Sequence, residues 1–205
     1  RWLDTFTNTT NAPISIQVAF GGQSGIGSSG GNSSTLVNTS SGDATVTADD
    51  SWVEVATPTD GEDMVGGPQV TVLGTPTTAA SPFGGAMTFA GNWLDDTFNN
   101  PLSYSGHGGN FQAYVNTLTL APGKSQSLVH FVVLGPRVTA ETSAQVRGAV
   151  ETTANQLAAA PEISDLSAAE ICSIANFNIR AMTIPGFSFA VCRDGQMGVV
   201  GQAPA

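Results

Sequence analysis

The chain has 205 residues, with 24 Gly, 11 Pro, only 11% charged residues and a net charge of −10. A 40% hydrophobic fraction is enough for a packed core and excludes disorder throughout. Six dispersed cations exclude the basic patch that nucleic acid or an anionic membrane surface needs, and no apolar run approaches the roughly 18–20 residues of a membrane helix.

Taken in chain order, the first two-thirds read as short strands. Trp2–Thr7 alternates, 8–13 is a turn cluster, and 14–20 sets its apolar residues on one face. The Gly/Ser-rich stretch 21–34 is too poor in apolar residues to pack and reads as a long surface loop. Further strands are expected at 35–37, 44–47, 52–55, 69–73 and 86–89, separated by loops at 57–68 and 75–85. A loop over 91–110 carries Trp93, Asp95, Asp96, Ser105 and His107. The clearest pair of strands is Phe111–Leu120 and Ser125–Leu134. Ala121-Pro122-Gly123-Lys124 joins them, with Pro second and Gly third as a type II turn requires. This alternation predicts a mainly β chain, with an antiparallel β-sandwich over residues 1–137.

The pattern changes after Pro136. Residues 139–160 have helical spacing and stop before Pro161. A second helix is expected from Ser164 or Ser167 to about Phe177. Ser167-Ala168-Ala169-Glu170 has the spacing of a capping box, in which the Ser and Glu side chains satisfy each other's backbone N–H. Residues 138–178 thus form a two-helix segment, packed on the sandwich or on a neighbour. Residues 179–205 form a terminal hairpin, with a strand at 187–191 and a turn at Arg193-Asp194-Gly195.

Two segments carry a resemblance. Thr5-Phe6-Thr7-Asn8 with Ala12-Pro13-Ile14-Ser15-Ile16-Gln17-Val18, and Leu118 to Ser125 with the apolar strand after it, resemble the opening and the late hairpin of bacterial immunoglobulin-like β-sandwich modules. Such modules are accessory parts of secreted enzymes and surface proteins, and the resemblance carries over no functional residue. The tail, Ile184-Pro185-Gly186-Phe187-Ser188-Phe189-Ala190-Val191-Cys192-Arg193-Asp194-Gly195, resembles the opening strand of serine hydrolases related to class C β-lactamases. That family's Ser-x-x-Lys nucleophile motif is absent: the only lysine, Lys124, has Ala121 three residues before it.

Cys172 and Cys192 lie twenty residues apart, one on an expected helix and one by an expected strand. An even count in an exported chain reads as a disulfide. It would pin the tail to the second helix and stabilise by about 3 kcal/mol in the chain-entropy picture. Of the two histidines, His130 lies among strand residues and reads as core. His107, in Ser105-Gly106-His107-Gly108-Gly109, resembles an oxyanion-hole loop, which makes His107 and Ser105 the catalytic candidates. Gly22-Gln23-Ser24-Gly25-Ile26 fails the nucleophile elbow at its last position.

The acidic pairs Asp49-Asp50 and Asp95-Asp96 read as solvated loop charge. Asp60, Glu62 and Asp63 are the first choice for calcium, which takes hard oxygen ligands from flexible loops. Trp52 reads as core, and Trp93, with His107, is the candidate binding residue. Asn8, Asn32 and Asn38 begin Asn-x-Ser/Thr sequons.

The sequence opens on Arg1 without a signal peptide, and reads as a processed product, a trimmed chain or an internal piece of something larger. The leading expectation for function is a non-catalytic β-sandwich module of a larger secreted or surface protein, serving packing, assembly or ligand contact. The alternatives are one chain of a processed secreted hydrolase, and a self-assembling surface, filament or capsid-like protein. Residues 184–200 are apolar on both faces. They are expected to contact another chain or domain, the alternative being that they complete the sandwich.

Overall fold

The computed structural model describes residues 1–23, 35–47, 49–56, 67–74, 88–90, 111–136 and 143–179, with short strands at 187–188, 192–193, 196–197 and 201–202. In chain order the elements are β1 (Trp2–Thr7), β2 (Ile14–Gln23), β3 (Thr35–Thr39), β4 (Trp52–Ala56), β5 (Gln69–Val72), β6 (Thr88–Ala90), β7 (Phe111–Leu120) and β8 (Ser125–Leu134). They are followed by α1 (Ser143–Ala159), α2 (Ala168–Ser173), β9 (Phe187–Ser188), β10 (Cys192–Arg193), β11 (Gln196–Met197) and β12 (Gly201–Gln202). The chain is mainly strand, in antiparallel sheets, with two helices.

Five strands form one sheet in the order β1-β8-β5-β4-β3, and three form a second in the order β2-β7-β6. Every pairing in both is antiparallel. The five-stranded sheet is buried on both sides at its centre, so β4 is buried along its whole length. One face carries Trp52, Val70, Val72, Val129 and Phe131, which pack against Val150, Ala154 and Ala158 of α1, Ile171 of α2, and Ile163, Ile174, Phe177 and Ile179 of the flanking segments. Phe131 meets Phe177 edge to face, with ring centroids 6.2 Å apart. The helices therefore share the main apolar core with the sheet.

The other face meets the three-stranded sheet in two smaller clusters. Val53, Leu73 and Tyr114 form one, with Phe20, Leu36 and Val46 against it. Leu118, Leu128 and Ala175 form the other, with Phe6, Ile16 and Val18.

Of the four connections that carry the chain between the sheets, β1 to β2 and β7 to β8 lie wholly within the described residues. The second is the expected turn: Lys124 N–H donates to Ala121 C=O at 3.1 Å, and Gly123 has φ +67°. Only a residue without Cβ holds that conformation cheaply. Asn8 ties the two connections together. Its backbone N–H donates to Lys124 C=O and its C=O accepts from Gly123 N–H, both at 2.9 Å. Its side-chain Nδ2 donates to Ala12 C=O at 2.8 Å and Leu120 C=O at 2.9 Å, and its Oδ1 accepts from Thr10. Asn8 is fully buried and both its N–H bonds are used, so the first sequon offers no glycan acceptor in the folded chain.

Helix α2 begins as its sequence predicts. Glu170 N–H donates to Ser167 Oγ, and Ser167 N–H donates to Glu170 Oε2 at 2.8 Å. It ends at Ser173, short of Phe177, because the chain turns there to run beside β8. Ala175 N–H donates to Ser127 C=O at 2.8 Å, and buried Asn176 spans from Leu73 C=O to the N–H and C=O of Val129. Gly74 permits this approach, since a Cβ there would lie 1.8 Å from Asn176 C=O.

One expected strand is absent: 44–47 is irregular. Its Thr47 N–H and hydroxyl bond Asp50 at 2.8 and 3.1 Å, a local side-chain alternative that outcompetes a ladder. Asp50 itself is buried rather than solvated. No helix among the described residues is long and apolar enough to cross a membrane.

Candidate functional site

A group of titratable side chains built around a buried carboxyl lies where α1 meets β3 and β4. Helix α1 presents two neighbouring stripes at a spacing of four residues. Val146, Val150, Ala154 and Ala158 are apolar and buried. Arg147, Glu151 and Asn155 run beside them, and each takes a partner on the sheet. Arg147 Nε donates to both carboxylate oxygens of Glu54 at 3.2 Å, and its Nη2 donates to Oε2 at 3.0 Å. Asn38 Nδ2 donates to Glu151 Oε1 at 2.6 Å, and Trp52 Nε1 donates to Asn155 Oδ1 at 2.9 Å.

Glu54 is fully buried in an otherwise apolar strand. Burial pushes its carboxyl up to about 7, against the opposing pull of Arg147 and with help from the Glu151 carboxyl beside it. A carboxyl near 7 is suited to holding and releasing a proton at physiological pH. Here both oxygens are taken by Arg147 and none of the side chain is exposed. The arrangement locks α1 onto β4 through a forked, charge-assisted contact; it does not present a proton to a substrate.

The second polar group lies between the sheets. His130 is 1% exposed and stacks on Phe20, with ring centroids 4.1 Å apart and planes 7° from parallel. Burial pulls its pKa down to about 3, so the imidazole is neutral across the physiological range. Asn116 is fully buried on the facing sheet. The third group is Asp50, which accepts from Ser40 Oγ, Ser41 N–H and Thr47. Burial works to raise its pKa, and these hydrogen bonds outweigh burial and lower it.

Among the described residues no three of His, Cys, Asp and Glu gather as a metal would require. The residues singled out in the sequence, Trp93, Ser105, His107, Asp60, Glu62 and Asp63, lie outside the described residues, as do Asp95, Asp96 and the second sequon, Asn32. His130 and Trp52 are core, as their strand setting indicates. Cys172 sits in the last turn of α2, which lies against β11, the partner of the Cys192-bearing strand β10. Sequence reasoning did not single out Glu54, Arg147 or Asn176. Glu54 had one available signal, a lone carboxylate inside Trp52-Val53-Glu54-Val55, where charge demands a partner.

Compared with known proteins, the chain matches no family model, no curated protein and no solved structure.

Proposed function

We propose that the chain is a non-catalytic β-sandwich module, of the immunoglobulin-like kind, within a larger exported protein, where it serves packing, assembly or ligand contact. One observation carries the reading: the buried ionisable groups of the described residues serve the fold itself. Glu54 grips α1 through Arg147, Asp50 closes its own loop, and His130 is walled in behind Phe20. Two apolar clusters joining side chains of both sheets support the sandwich.

A Cys172–Cys192 disulfide belongs to the same reading. The contact of α2 with β11 and the lack of a free cysteine among the described residues support it. The tail, residues 184–200, is the surface proposed to meet a partner chain or domain. In support, its described strands pair among themselves or with β12 just beyond it, β10 with β11 and β9 with β12, rather than extending either larger sheet.

A turnover screen on esters, amides and β-lactams tests the non-catalytic reading. No turnover above background is expected. Turnover abolished by His107→Ala would replace this reading with that of a hydrolase chain.

A further inference from the structure

The two apolar clusters between the sheets are not continuous. Leu118 of β7 and Leu128 of β8 belong to one cluster, and Tyr114 of β7 belongs to the other. β7 and β8 run in opposite directions from the turn at Gly123. Two residues back along β7 from Leu118, and two residues on along β8 from Leu128, the same inward faces present Asn116 and His130. A polar rung therefore separates the two clusters. The register across β2 agrees: Asn116 stands opposite Val18 and Tyr114 opposite Phe20, whose ring stacks on His130.

Both side chains are more than nine-tenths buried. Asn116 Nδ2 and Oδ1 and His130 Nδ1 and Nε2 all lack a hydrogen-bond partner among the described residues. Leaving such atoms unmet costs about 1–3 kcal/mol each, and native interiors rarely carry several together. The two groups belong to facing sheets and do not bond each other, which leaves their four polar atoms to a bridging group.

We infer that this rung is an internal binding site for small uncharged hydrogen-bonding molecules, occupied by two ordered waters that bridge Asn116 and His130 across the sheets. The donor set fits water. The amide offers two N–H donors and an acceptor, the neutral imidazole one of each, and among the described residues no buried charged group belongs to the rung to select an ion. One water reaches only one nitrogen of the ring, because the two point apart, so the four atoms call for two waters. Each then has partners on both sheets, within the range of about 2–4 bonds that buried waters make. Phe20 covers the His130 ring, and Trp2 lies against Phe20. The Trp2 and Phe20 rings meet edge to face at 5.6 Å, and Trp2 is 49% exposed.

Water-oxygen magnetic relaxation dispersion on the full chain tests the site, with circular dichroism as the check on folding. The wild type is expected to hold two more long-lived waters than the Asn116→Leu, His130→Phe double variant. Equal counts in the two proteins would overturn the proposal. An independent reading uses the wild type alone: the His130 ring protons should show direct cross-peaks to water in a rotating-frame experiment. Their absence would overturn the proposal even if the double variant does not fold.

Discussion

The two faces of the five-stranded sheet solve the same burial problem differently. The helical face is one continuous apolar cluster, and each polar group described on it is paired: Glu54 with Arg147, Trp52 Nε1 with Asn155, Asn176 with Leu73 just past β5 and Val129 within β8. The face toward the three-stranded sheet is two small clusters divided by Asn116 and His130. The inward residues of β2 (Ile14, Ile16, Val18 and Phe20) are only half-buried. Both faces bury apolar side chains, but the first gains more apolar burial and meets its polar groups with protein partners. Stability should therefore be concentrated in α1, β4, β5 and β8, with β2 and β7 the weaker layer.

Truncation on each face breaks or sharpens that contrast most strongly. Phe131→Ala should cost about 3–5 kcal/mol, since it opens a cavity in the continuous cluster and removes the edge-to-face partner of Phe177. Phe20→Ala should cost about half as much, because its ring is only partly buried. Urea denaturation of both variants reads the difference, and equal losses would remove the asymmetry.

The pH dependence of the helical face comes next. Glu54 titrates near 7 in the folded chain, above the 4.5 of a free carboxyl. The folded state therefore binds its proton more tightly than the unfolded one. That contribution is full below about pH 4.5 and is lost as pH rises through about 7, at most about 3 kcal/mol across the window. Glu54→Gln should flatten this part of the stability–pH curve, and an unchanged slope would refute the assignment to Glu54.

At the edge of the weaker layer, Asn8→Ala strips Leu120 C=O and Ala12 C=O of their donor, and should cost about 2 kcal/mol by urea denaturation. In the wild-type chain made in a glycosylating host, the peptide containing Asn8 should have its unmodified mass. The smallest effect belongs to the cap of α2. Ser167→Ala should lower stability by about 1 kcal/mol, and Ser167→Asp should restore most of it.

The sequence showed what is local. Alternation and turn chemistry mark β1, β7 and β8 to the residue, and the Ser167/Glu170 spacing marks the start of α2. Each of these signals lies within about ten residues. What it hid is long-range. Arg147 meets Glu54 ninety-three positions away, and Asn176 reaches Leu73 across 103. Neither pairing has a local pattern. Residues 44–47 mislead because alternation cannot reveal that Asp50 will take the Thr47 N–H. Asn8 shows the converse: its sequon is visible, but its burial follows only from the meeting of the two connections. The chemical candidates drawn from the loops, Trp93, Ser105 and His107 among them, lie outside the described residues, so the site argued from structure is a different one.

Native-state hydrogen exchange tests the central contrast most directly, because it reads opening strand by strand. The account predicts that the paired amides of β4, β5 and β8 exchange only through global unfolding. Those of β2 and β7 should open earlier, with protection lower by at least tenfold and a smaller denaturant dependence. Equal protection in the two sheets, with one shared denaturant dependence, would contradict it.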